Sequence, residues 1–141
     1  MEMITTPEST LKLMRNVGLI SNLIINKDTI KLKPNEGFKG RLFEYLDECI
    51  KALKDITQYY DIEYVEVDDV DMNIDVQLCL NRLYYFVSEI ITILVLKDDT
   101  KMKSIEKTIA GIVYYIKVIC SIYDINMNKI IIDKNDYESI S

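Results

Sequence analysis

The side chains best placed to do chemistry are acids. Asp69, Asp71, Asn73 and Asp75 alternate along the chain, at the first, third, fifth and seventh positions of a calcium-loop spacing, where oxygen ligands surround a hard cation. That loop needs glycine at its sixth position for the turn and a bidentate glutamate at its twelfth. Those places hold Ile74 and Leu80. The competing reading is a solvated acidic connection that caps the helix after it. Glu44 and Glu48 stand one helical turn apart with Asp47 beside them, a spacing that lets carboxylates share magnesium with waters and substrate phosphates. Any exposed helix face shows the same spacing. Arg82 and Glu89 lie seven residues apart, hence on one helical face, and interrupt an apolar run. A lone buried charge is costly, so each needs a partner or the surface. Two structural ion pairs meet that need, and so does a polar pocket holding Glu89 as a ligand.

What is missing narrows the chemistry further. The chain has no histidine, which removes Ser–His and Cys–His nucleophilic pairs and every imidazole ligand or base. Cys49, Cys79 and Cys120 are odd in number, far apart and set in apolar helical patterns. They fit neither a disulfide framework nor a zinc site and read as reduced core residues. The net charge of −6 is concentrated in one place. Residues 1–60 carry nine bases and eight acids, residues 76–141 carry eight of each, and residues 61–75 carry seven acids and no base. No basic stripe exists to release counterions from phosphates, so direct nucleic-acid binding is not expected.

The elements that must position these groups are helices. Thr6-Pro7-Glu8 is a helix start, and Leu13, Val17, Ile20 and Ile24 follow at helical spacing, giving a first helix over about 7–26. Residues 29–32 can form a short extended piece, and Pro34-Asn35 with Gly37 marks a loop. A second helix covers about 36–59, with Leu42, Leu46, Ile50 and Leu53 as its stripe, widened by Phe43 and Ile56. Ile62, Tyr64, Val65 and Val67 alternate with acids, which fits an extended connection. The third helix starts between Asp71 and Asp75 and runs to about Leu96. It is apolar on most faces, and the expectation is that it is the most buried element. Charges at Arg82 and Glu89 argue against a membrane span. Asp98-Asp99-Thr100 stops it and caps the next. Ile105, Ile109, Ile112, Ile116, Ile119 and Tyr123 then form a heptad seam. Tyrosines come in adjacent pairs, Tyr59-Tyr60, Tyr84-Tyr85 and Tyr114-Tyr115, so one ring of each can pack while the other reaches the rim.

The stretch Thr108-Ile109-Ala110-Gly111-Ile112-Val113-Tyr114-Tyr115, with Tyr123-Asp124-Ile125-Asn126 and Lys134-Asn135, resembles the C-terminal part of MazG-like nucleotide pyrophosphohydrolases, an all-α superfamily. Asp47-Glu48-Cys49-Ile50-Lys51 resembles the acidic helix that comes earlier in that family. The two stretches cover about a third of the chain. The resemblance implies the family's fold and a magnesium site, but of its four metal-binding acids only Glu48 is kept. Lys51, Thr108 and Gly111 stand at the other three places. It therefore implies the fold without the usual hydrolysis.

The sequence thus reads as one all-α domain over residues 1–141: a bundle of about four helices, a short extended acidic connection between the second and third, and a partly ordered tail over about 127–141. No signal peptide is evident, and the expected location is cytoplasmic. Abundant isoleucine, lysine, aspartate, asparagine and tyrosine match AT-rich genomes, including many viruses and phages, whose small helical proteins often bind a host protein in the host cytoplasm. The expected function is a non-enzymatic interaction protein with no cofactor and no membrane association. Its acidic segment, Asp61, Glu63, Glu66, Asp68, Asp69, Asp71 and Asp75, would face a basic protein partner. The seam of the last long helix is a route to a homodimer if the bundle leaves it uncovered. The alternative is a magnesium-dependent pyrophosphohydrolase, or a degenerate relative of one, using Glu44, Glu48 and Glu89. A third reading is an acidic DNA mimic.

Overall fold

The computed structural model describes residues 5–27, 37–71, 73–96 and 104–140. Among them five helices follow in order: α1 (Thr5–Ile25), α2 (Phe38–Tyr59), α3 (Val76–Leu94), α4 (Ile105–Ile122) and the short α5 (Lys134–Ile140). The four long helices make an all-α bundle, with α1 packed on α2, α3 on α4, α1 on α3 and a lighter contact between α2 and α4. The expected extended piece at 29–32, the loop at Pro34-Asn35 and the Asp98-Asp99-Thr100 stop lie outside the described residues. No helix of the described residues is long and apolar enough to cross a membrane.

The apolar stripes fill one core. Leu13, Val17, Ile20 and Ile24 of α1 meet Leu42, Leu46, Ile50, Leu53 and Ile56 of α2, all buried. Phe43, expected to widen the α2 stripe, is instead exposed. On α4, Ile105, Ile109, Ile112, Ile116 and Ile119 are buried and Tyr123 is half-buried. The heptad seam is therefore spent inside the bundle, and the dimer route conditional on its exposure has no surface there. Exposed large apolar side chains sit elsewhere, among them Leu11, Met14 and Ile25 of α1.

The burial of α3 departs from the sequence reading. α3 is not the most buried helix: seven of its 19 residues are buried, against nine of 18 in α4. The reason is that the bundle covers one side of α3 only, and Leu78, Tyr84 and Tyr85 face solvent. In the segment after Asn126, Ile130 and Ile132 enter the core and α5 follows.

Helix ends follow local chemistry. Asp75 caps α3, its side chain accepting from the N–H groups of Gln77 and Leu78 at 3.1 and 3.3 Å. α2 and α4 share one C-terminal device, written twice as Tyr-Asp-Ile at residues 60–62 and 123–125. Asp61 (φ 58°) and Asp124 (φ 54°) adopt the left-handed conformation. The N–H of Ile62 then donates to Thr57 and that of Asp61 to Gln58. Ile125 and Asp124 do the same to Cys120 and Ser121. This is the Schellman pattern, with aspartate where glycine is usual. Phe38 and Tyr123 rings 5.2 Å apart hold the start of α2 against the end of α4.

Candidate functional site

The connection between α2 and α3 is an exposed acidic ridge anchored by a few apolar side chains. Val65 and Val67 are buried and Ile62 and Val70 half-buried, while all seven acids from Asp61 to Asp75 are exposed. In an extended stretch successive side chains point to opposite sides, so burying Val65 and Val67 turns Glu66 and Asp68 outward, while the other five acids are exposed without that alternation. Val65 also pairs in parallel with Asp133. Its N–H donates to the carbonyl of Ile132, and the N–H of Lys134 donates to the Val65 carbonyl at 2.8 Å. The C-terminal segment therefore fixes the register of the acidic one.

A buried charge pair anchors that C-terminal segment. Asp133 is 1% exposed, accepts from the Asn135 N–H at 3.0 Å at the start of α5, and is ion-paired to Lys117 of α4. Lys117 reaches Asp136 as well, at 3.0 Å. Burial works to lower the Lys117 pKa, but the hydrogen bonds to Asp133 and Asp136 outweigh it and hold the ammonium above the usual lysine value. Sequence reasoning did not find this pair. The available signal was Lys117 itself, a lone base between Ile116 and Val118 in an apolar helix.

The seven acids do not play one role. Asp75 is the α3 cap, and Asp71 accepts from the Asn73 N–H at 2.9 Å in a tight turn. These contacts give Asp71 and Asp75 of the calcium-like spacing local backbone work. Asp61 is the left-handed end residue of α2, and Glu66 is ion-paired to Lys134 at 3.1 Å. Glu66 holds the Lys134 pKa above its usual value, first through this hydrogen bond and then through its charge. Glu63, Asp68 and Asp69 are exposed and carry no hydrogen bond or ion pair among the described residues.

Beside the ridge runs an aromatic groove of about 480 Å³, lined also by Glu66, Asp68 and Lys107. Its rings are Phe86, Tyr114 and Tyr115. Phe86 and Tyr115 lie 6.1 Å apart and 25° from parallel, and Tyr114 meets Tyr115 edge-on at 4.9 Å. Both hydroxyls are tied: that of Tyr114 accepts from the Asp71 N–H and that of Tyr115 from Arg82 Nη1, each at 3.1 Å. The pair Tyr114-Tyr115 thus splits into a half-buried and a buried ring, as does Tyr59-Tyr60 into exposed and half-buried, whereas Tyr84 and Tyr85 are both exposed.

The other candidates lie apart from the ridge. Glu44, Asp47 and Glu48 of α2 line a separate groove of about 500 Å³ together with Arg15 and Lys51. Lys51 bonds to Asp47 at 3.2 Å and to Glu48 at 3.6 Å, and these acids raise its pKa, chiefly through the hydrogen bond to Asp47. Arg82 is exposed, with the Tyr115 hydroxyl as its partner, and Glu89 is half-buried on α3. Among the described residues no three acids or cysteines form a group that could hold a metal ion. Comparison with protein-family models, with curated proteins and with solved structures finds no match for the chain.

Proposed function

We propose that this chain is a non-enzymatic interaction module whose acidic ridge captures a basic protein partner. The observation that carries the reading is the set Glu63, Asp68 and Asp69: three exposed carboxylates, without an ion pair among the described residues, on a segment anchored by Val65, Val67 and the Asp133 pairing. A ridge held in place loses little conformational entropy on binding. Clustered like charge speeds encounter and orients a partner of opposite sign. The composition typical of viral and phage genomes supports a host protein as that partner. Neutralising the three free acids while leaving Asp71 and Asp75 to their backbone roles tests the reading, because capture should weaken and lose salt dependence. Competition by duplex DNA for the same partner would instead favour the DNA-mimic version.

One observation supports the rival reading, a MazG-like pyrophosphohydrolase: the α2 groove gathers Glu44, Asp47 and Glu48 opposite Arg15. Against it, Lys51 sits on two of those acids and would repel magnesium. Thermal unfolding with magnesium and a panel of nucleoside triphosphates decides this. A ligand at a hundred times its dissociation constant stabilises by about 2.7 kcal/mol, and no shift with any nucleotide removes the rival.

A further inference from the structure

We infer that the aromatic groove beside the ridge is the seat for an arginine side chain of the basic partner. This rests on the interaction reading above and names what the partner must bring. Three features of the groove converge on a guanidinium. Its rings are already fixed, Tyr114 by the Asp71 N–H and Tyr115 by Arg82, so a guest need not order them. Gly111 makes the arrangement sterically possible, because a Cβ there would lie 2.7 Å from the Phe86 ring. Phe86 can therefore lie against the α4 backbone and complete the aromatic surface. Asp68 lines the groove with no partner of its own among the described residues.

A planar guanidinium can stack on a ring and present its fork of donors to a carboxylate at the same time, which a lysine ammonium cannot. Lys107 also lines the groove, as its own cation. It is exposed on a flexible stem, so an incoming arginine displaces it, and its charge opposes the guest.

The test uses the full chain and two fluorescein-labelled nonapeptides of equal charge, one alternating glycine with arginine and one glycine with lysine. Anisotropy titrations are run at low and at physiological salt. The arginine peptide should bind roughly two- to fivefold more tightly. Tyr114→Leu should erase the preference, Tyr114→Phe should keep it, and Lys107→Gln should tighten binding. Equal affinity for the two peptides, with Tyr114→Leu and Lys107→Gln both silent, overturns the arginine seat. If Glu63→Gln and Asp69→Asn still weaken binding in that case, the acidic-ridge reading stands without the seat. Failure of both peptides to bind at low salt overturns the ridge reading and the seat with it. Should Tyr114→Leu fail to fold, Asp68→Asn decides the matter: it should shrink the arginine preference, and an unchanged preference overturns the seat.

Discussion

Lys117 of α4 is ion-paired to Asp133, a carboxylate only 1% exposed, next to the residues that pair with Val65 of the acidic segment. One contact therefore joins α4, the C-terminal segment and the ridge. Removing one partner of a buried pair strands the other charge and costs about 3–5 kcal/mol. Lys117 is 22% exposed, so Asp133→Ala, which strands the wetter partner, should cost about 2–3 kcal/mol and Lys117→Met more. Denaturant unfolding measures both. The double variant should lose less than the sum of the singles. Hydrogen exchange at the Val65 and Lys134 amides should speed up in either single variant.

The sequence reached some of this and not the rest, for physical reasons. The α4 seam was legible because isoleucines at heptad spacing leave one helical face to bury. The alternation of Val65 and Val67 with acids was legible as an extended piece. Lys117 and Asp133 were not joined, because periodicity says which face a residue occupies and nothing about its partner 16 positions away. The burial of α3 was over-read because Leu78, Tyr84 and Tyr85 count as apolar while sitting on the solvent side. At the candidate site the charge excess was plain. Which acids were already engaged depended on helix ends and on Lys134, and the groove depends on Phe86 packing over Gly111, a contact between two helices.

Asp61 and Asp124 bear the conformational cost of a left-handed backbone and place a negative charge at a helix C-terminus, where the dipole disfavours it. Glycine pays neither penalty. Asp61→Gly should stabilise by about 0.5–1 kcal/mol. Asp124→Gly should gain less, since it gives up the 3.8 Å contact with Lys39. Thermal melts of the two single variants give the comparison.

Two helical glycines should respond differently to the same change. Gly111→Ala puts a methyl group 2.7 Å from the Phe86 ring and forces that ring to shift, at a cost of about 1–3 kcal/mol. Gly18→Ala meets only the exposed Tyr84 hydroxyl at 3.3 Å. That ring can yield, and alanine favours the helix by about 1 kcal/mol, so Gly18→Ala should be neutral or stabilising in chemical denaturation.

The cysteines set an alkaline limit. Burial pushes Cys79 up to about 12 and Cys120 up to about 11, and raises Cys49 as well. In the unfolded chain these thiols ionise near 9, so above that pH the unfolded state binds fewer protons and stability falls. Lys117, raised above 10.5, acts in the same direction at higher pH. Stability should therefore be unaffected by these groups below pH 9 and decline steadily from pH 9 to 11 in urea titrations. At pH 8 a thiol reagent should label the half-buried Cys120 first and reach Cys49 and Cys79 only on unfolding.

The most direct test of the ridge compares two triple variants of equal net charge. One carries Glu63→Gln, Asp68→Asn and Asp69→Asn. The other carries Glu8→Gln, Glu44→Gln and Asp55→Asn, which removes three exposed acids elsewhere. Each moves the formal charge from −6 to −3, since three acids become neutral. Binding of the labelled arginine–glycine peptide is measured as a function of salt. The ridge variant should lose most of the affinity and most of the salt slope, while the control keeps both. Equal affinity and equal salt dependence in the two variants would show that the ridge is not the binding surface.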